Sequence, residues 1–368
     1  MLDKSKLFFE IQKLSDSIFF DISKELNLAQ ECWNKICSDE DFLHKIEKLN
    51  SPWILPTWKE PLNKKIKIEP FNNYTVIATD GSQIYPDRHQ GTSCFLINIS
   101  SIFLKYGIET LFIHKSAPFV YGDNEIDCSA DVVDCIRQEL EFLTGFETFK
   151  KNNSVDNNTK LFLFDGSIIF WHLDSKDAKT KELYLNKYLY CLQQFYKNNF
   201  LIAGYISMPK SRELVNLLKI QLCDFQINNC DLYKSIDNLL DTHIANFYLD
   251  EYERSIIFKN HSSIVQTYPE YLHPHFFYLN VGQEIVRIEI PQWIAQDEKN
   301  VEIISKIIVD QCKKGFGYPI CLAEAHEEAV IKNADREFFY ELIHKLGIKY
   351  NHNFFNSQKS LKKRRMGI

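Results

Sequence analysis

The sequence predicts an α/β fold in which a mixed sheet carries helices packed on it. Three observations lead there: apolar runs of strand length, helical apolar stripes between the later runs, and the order of the two. Strands come first as neighbours that can form hairpins, then alternate with helices, and that order builds a mixed sheet. No repeat recurs at a fixed period, which argues against a solenoid.

Residues 4–50 read as helical. Leu7, Phe8, Ile11, Leu14, Ile18 and Phe19 form one stripe at three- and four-residue spacing, and Cys32, Trp33, Ile36, Phe42 and Ile46 a second. Ser51 to Trp58 holds two prolines and reads as a linker. Tyr74 to Thr79 is a short β-branched strand, and Asp80-Gly81-Ser82 then reads as a turn. Thr92–Tyr106 and Leu111–Tyr121 make two further strands around a Lys105-Tyr106-Gly107 turn. Ala130–Phe149 is a helix, with Val132, Ile136, Leu140 and Phe142 on its apolar face, and the polar run 150–158 is a loop. Leu161–Phe164 is an apolar strand that again ends in Asp-Gly-Ser, at Asp165-Gly166-Ser167.

A helix over 178–198 and a strand over Phe200–Ile206 follow. Ser211–Leu222 reads as a helix capped by Ser211. Residues 223–275 have no clear pattern and read as an insertion. Phe276–Asn280 and Glu284–Ile290 form a hairpin around Val281-Gly282-Gln283, Val301–Lys313 is a helix, and Leu322–Leu346 is read as one continuous helix. The chain thus divides into an N-terminal helical segment with its linker (1–58), a main domain (59–350) and a basic tail (351–368).

Composition narrows the function classes. The 368 residues are 45% apolar and 14% aromatic, too rich for a disordered chain. No run approaches the ~18 apolar residues of a membrane span, and the N-terminus lacks a signal-peptide pattern. The ten cysteines include no C-x-x-C pair, so they are expected as reduced thiols, and the expected location is the cytoplasm. A net charge of −6 excludes a generally basic nucleic-acid binder, although Lys359, Lys362, Lys363, Arg364 and Arg365 concentrate positive charge in the tail. With 12 glycines and no G-x-x-x-x-G-K-[ST] run, a phosphate-loop ATP site is excluded.

Chemistry is concentrated in the two strands ending in Asp-Gly-Ser. A strand holds its terminal carboxylate in place, and two such carboxylates side by side suit a hard divalent cation with oxygen ligands. Asp-Gly is also a common turn, so each occurrence alone says little. The helix over 130–149 adds Glu139 and Glu141, with Arg137 four residues before Glu141 on the same face. Arg287-Ile-Glu289-Ile-Pro291 alternates charged and apolar residues and faces either a site or water. Glu324 and His326 lie on the helix that follows Tyr318-Pro319.

The ordered set resembles the NurA nuclease family. It comprises Asp-Gly-Ser (80–82), Arg-x-x-x-Glu (137–141), Asp-Gly-Ser (165–167), Gly-Tyr-Ile-Ser-Met-Pro-Lys (204–210), Arg-Ile-Glu-Ile-Pro (287–291), Tyr-Pro-x-x-Leu-x-Glu-Ala-His (318–326) and Ala-Asp-Arg-Glu-x-Phe (334–339), across residues 74–346. The resemblance implies an RNase H-like core over 59–350 and a manganese-dependent site, with magnesium also possible. It implies degradation of DNA 5′ to 3′ from duplex ends, cutting of single strands, a homodimer, and a hexameric HerA-type ATPase as partner in end resection and recombinational repair. Carried over by motif, Asp80, Glu141 and Asp165 are the metal-binding carboxylates, with Glu139 an alternative helix acid, and Tyr318 and His326 complete the catalytic set. Lys210 and Arg212 are candidate DNA contacts. A catalytically silent DNA-binding adaptor of the ATPase is the competing expectation.

Overall fold

The structure, a computed structural model, describes residues 2–14, 21–87, 94–122, 126–152, 158–227 and 230–350. The basic tail and Ile18 and Phe19 of the first helical stripe lie outside these residues. In chain order the elements are α1 (Lys4–Lys13), α2 (Ser23–Ser38), α3 (Phe42–Glu47), β1 (Thr57–Trp58), β2 (Ile66–Lys67), β3 (Tyr74–Ile84), β4 (Cys94–Lys105) and β5 (Leu111–Gly122). Next come α4 (Ala130–Lys151), β6 (Thr159–Asp165), α5 (Ala178–Lys197), β7 (Leu201–Ile206), α6 (Glu213–Leu222), α7 (Asp241–Ala245), β8 (Glu253–Arg254) and β9 (Phe258–Lys259). The chain closes with β10 (Pro274–Asn280), β11 (Ile285–Pro291), α8 (Gln292–Ala295), α9 (Glu298–Lys314), α10 (Ile320–Ala329) and α11 (Asn333–Lys349).

Among the described residues the strands join one mixed sheet in the order β1-β9-β10-β11-β7-β6-β3-β4-β5, with β2 and β8 attached beside β10. Strands β3, β6 and β7 run parallel, and the flanking pairs are antiparallel. Val76 to Ala78 and Leu161 to Leu163 are wholly buried, because parallel strands at the centre of a sheet are covered on both faces. Helix α4 packs its Phe142 ring on Phe164 at 4.5 Å, and Phe149 on Phe200 at 3.9 Å, so large aromatic areas leave water along one face. The N-terminal helices α2 and α3 build a second core with α6, Ile236 to Leu249 and β10.

Several expectations need correction. Asp80-Gly81-Ser82 is no turn: β3 runs on to Ile84 because β4 continues to pair with it, Asp80 opposite Ser100 and Ile84 opposite Leu96. The helix read over 322–346 is two helices, broken at Val330–Lys332. The break is tertiary, since Ser82 and Asn98 side chains donate to the Ala329 carbonyl and so satisfy the end of α10. Ser211 does not cap α6. Arg212 takes the cap position without a side-chain bond, and the Ser211 hydroxyl instead pairs with the Tyr278 hydroxyl at 2.9 Å. The expectation of ten reduced thiols fails for one pair, because the chain folds back after α6 and brings Cys223 and Cys230 together in a disulfide. Within 223–275, short helical turns alternate with β8 and β9, which extend the sheet edge.

One buried histidine makes the fold sensitive to pH. Burial holds the His275 side chain at a pKa of about 4, below its usual 6.5, and its ring donates to the His273 carbonyl at 3.1 Å. The unfolded chain takes up that proton below about pH 6.5, so this contribution is complete above that pH and is lost as pH falls towards 4. One such group adds a slope of at most ~1.4 kcal/mol per pH unit. His275→Gln is expected to flatten the pH dependence of the melting temperature across that window. An unchanged profile would refute the assignment.

Candidate active site

The site forms where the parallel strands end, the usual position of ligand sites in such sheets. The last β3–β6 pair is Thr79 with Phe164, so Asp80 and Asp165 follow side by side at the rim. At the second position the chain leaves sharply. Gly166 has φ +136, which disfavours a side chain, and its N–H donates to the Tyr205 carbonyl at 2.9 Å. At the first position glycine has another purpose. A Cβ on Gly81 would lie 2.7–2.8 Å from Ile99, Arg137 and Glu141, so its absence lets α4 close onto β3.

That close approach delivers the third acid. Glu141 is 4% exposed and lines one cleft of about 590 Å³ with Asp80 and Asp165. Glu139 projects elsewhere and meets Lys187 of α5 at 2.7 Å, so of the two helix acids only Glu141 joins the aspartates. Arg137 donates to Glu141 at 2.9 Å and to the Gly81 carbonyl at 3.1 Å, and stands 4.0 Å from Asp80. The pairing that spacing alone would leave as a surface salt bridge is therefore part of the cleft.

The C-terminal segment closes the constellation. The Tyr318 hydroxyl donates to Asp165 at 2.8 Å, and His326 Nδ1 lies 2.8 Å from Asp80 Oδ2. All five residues expected from the sequence, Asp80, Glu141, Asp165, Tyr318 and His326, thus come together. Lys210 and Arg212 do not join them. They line a neighbouring cavity, and Arg212 is engaged by the Asp237 carbonyl.

Electrostatics distinguish the three carboxyls. Burial pushes Glu141 up to about 8; Arg137 opposes the rise, while Asp80 and Asp165 add to it. Asp165 is raised by desolvation and by Asp80, against the lowering effect of the Tyr318 bond. The cleft thus sets four carboxyls, Asp80, Asp134, Glu141 and Asp165, against the two cations Arg137 and Lys176. Among the described residues, no three His, Cys, Asp or Glu side chains already form a metal cage. The donor set nonetheless fits a hard divalent cation, because it consists of carboxylate oxygens whose mutual repulsion such a cation would relieve.

Asp134, Gln83, Tyr85, His172 and Lys176 also line this cleft and were not singled out from the sequence. Tyr85 hydrogen-bonds Asp134, and Gln83 donates to the Tyr85 hydroxyl at 2.8 Å. Asp134, Arg137 and Glu141 fall at i, i+3 and i+7, the spacing of one helical face, which was the available signal.

The turn carrying Asp165 is held from behind. Glu289 Oε2 accepts from the Ser167 hydroxyl at 2.6 Å and from the Ile168 N–H at 3.0 Å. Its other oxygen accepts from Arg287 Nε at 2.8 Å, and Arg287 Nη1 donates to Glu213 at 2.8 Å. Arg287 and Glu289 are 3% and 1% exposed, so this alternating strand faces neither water nor the cleft but supports the site from inside.

The NurA domain family matches residues 74–331. The fold is similar to the crystal structure of the NurA nuclease from Sulfolobus solfataricus, with a TM-score of 0.55 at 13% identity, covering 95% of this chain and 98% of that one. A second NurA crystal structure aligns at a TM-score of 0.37 and 11% identity, over 84% of this chain and 94% of the other. The catalytic domain of human endonuclease V aligns at 0.34 and 10%, over 86% and 97%. No curated protein matches the sequence. The expected fold class, an RNase H-like mixed sheet flanked by helices, is borne out.

Proposed function

The chain belongs to the NurA domain family, and on that premise we propose that it is a metal-dependent DNA nuclease hydrolysing phosphodiesters in the cleft of Asp80, Glu141 and Asp165. One observation carries the reading. Three carboxyls from two adjacent strand ends and one helix share a cleft, and the two aspartates raise the proton affinity of Glu141.

Asp80, Glu141 and Asp165 would hold manganese, or magnesium in its place. Such a cation, when bound, neutralises phosphate and makes its water a better nucleophile at neutral pH. The chain's own groups do the rest. Tyr318 fixes the rotamer of Asp165 through its hydroxyl, and Arg137 fixes Glu141 from the same helical face. His326 engages Asp80 through Nδ1, and its other nitrogen has no protein partner among the described residues. That nitrogen suits holding the scissile phosphate or giving a proton to the leaving 3′ oxygen.

The wider reading follows the family. The protein degrades DNA 5′ to 3′ from duplex ends and cuts single strands as a homodimer in the cytoplasm, with a hexameric HerA-type ATPase, during end resection and recombinational repair. Among the described residues, no helix is long and apolar enough to cross a membrane. Incubating end-labelled linear duplex and single-stranded DNA with manganese, magnesium or EDTA, with and without the ATPase, tests it. Degradation is expected with manganese, in weaker form with magnesium, and not in EDTA. Inert protein under every condition, the ATPase included, would leave the silent adaptor as the better description.

A further inference from the structure

A second cavity of about 670 Å³ adjoins the acidic cleft, and Ser167 and Trp171 belong to the walls of both. Its charge is the reverse of its neighbour's. Lys210, Arg212, Lys219 and Arg287 outnumber Glu213 and Glu289 on its wall, whereas the acidic cleft sets Asp80, Asp134, Glu141 and Asp165 against Arg137 and Lys176. Both wall carboxylates are already taken up by Arg287, whose Nη2 is buried without a hydrogen-bond partner among the described residues. Lys210 is exposed and pairs with nothing among the described residues.

Apart from Ser167, Ser211 and Asn216, the rest of the wall is apolar and aromatic. Trp53 is steadied by Tyr233, edge-on at 5.0 Å, and by the Lys219 ammonium at 5.4 Å, and Trp171 stands 37% exposed at the boundary with the cleft. Aromatic faces beside cations are the combination that holds unpaired nucleotides, with the base on a ring and the phosphate on a cation. The volume lies within the range of small-ligand sites.

We propose that this cavity binds the single-stranded deoxynucleotide next to the scissile phosphate, its base against Trp171 and Trp53 and its phosphate on Lys210. This rests on the nuclease reading and specifies its substrate: a strand must be unpaired for at least one nucleotide beside the cleft. An internal nucleotide of a strand and a released mononucleotide share this chemistry, and the two are separated below.

The test measures fluorescence anisotropy of a labelled single-stranded oligonucleotide with the full chain in EDTA. Trp171→Ala is expected to weaken binding about tenfold and Trp171→Phe to restore most of it. Lys210→Ala weakens binding and lowers the salt slope by about one. Moving a single abasic nucleotide along the strand should reproduce the Trp171→Ala loss at one register and add nothing further in that variant. Competition by a free deoxynucleoside monophosphate without any abasic effect would assign the cavity to the released product and overturn the strand reading. Competition by inorganic phosphate alone, or variants that bind like the wild type, would overturn the proposal altogether. The nuclease reading fails separately, through absent cleavage in manganese, and binding in EDTA does not depend on it.

Discussion

Asp165→Ala is expected to reduce DNA cleavage by about 100- to 1,000-fold, the loss seen when a group stabilising transition-state charge is removed. Stability should not fall with it. Asp165 is a partly desolvated carboxyl beside Asp80, and desolvation and Asp80 both raise its proton affinity, so its removal relieves repulsion rather than breaking a favourable ion pair. The melting temperature is expected to hold or rise, as is common when functional charge is removed. Asp165→Asn sharpens the result, because an amide oxygen still accepts the Tyr318 hydroxyl while the negative charge is gone. Equal loss in both variants assigns the effect to charge. Activity near wild type in the amide variant would assign it to the hydrogen bond and remove Asp165 from the ligand set.

Arg287→Ala should produce the largest loss of stability. The guanidinium lies between Glu213 and Glu289, each 2.8 Å away, and covers the Phe276 ring at 3.7 Å. Its removal leaves two buried carboxylates without a cation, a change that costs ~3–5 kcal/mol. It also loosens Glu289, which anchors the turn after Asp165, so activity at permissive temperature should fall although Arg287 does not line the acidic cleft. Chemical denaturation and cleavage measured on the same preparation check both effects. Glu213→Gln with Glu289→Gln added to Arg287→Ala should recover part of the stability, since no unpaired charge then remains. A single-variant midpoint within error of the wild type would contradict the buried network.

How far the sequence discloses this arrangement depends on the range of the cause. Asp80 and Asp165 are legible because a local apolar run fixes each strand, and Tyr318 and His326 follow by family motif. The extension of β3 past Asp80 is not legible, because its cause is pairing with β4, whose partner residues run from Ile99 back to Leu96, outside the local run that marks the strand. Glu139 and Glu141 could not be separated without knowing which helical face meets the sheet, a choice settled by the missing side chain of Gly81. The end of α10 was invisible for the same reason: neither Gly nor Pro marks it, and its capping donors come from β3 and β4. The two-residue strands β1, β2, β8 and β9 are too short for any period to register.

The dependence of the Asp165 turn on Glu289, and of the two aspartates on Tyr318 and His326, also sets an order in time. During synthesis the strands β3 to β7 leave the ribosome well before β11 and α10. At ~5–20 residues per second, the interval between residue 206 and residue 326 is roughly 6–24 s. Through that interval the nascent chain holds its two aspartates without the side chains that orient them. The proposed site is thus completed last, after the sheet that carries it, and a partly made chain has the acids without the tyrosine and histidine that engage them.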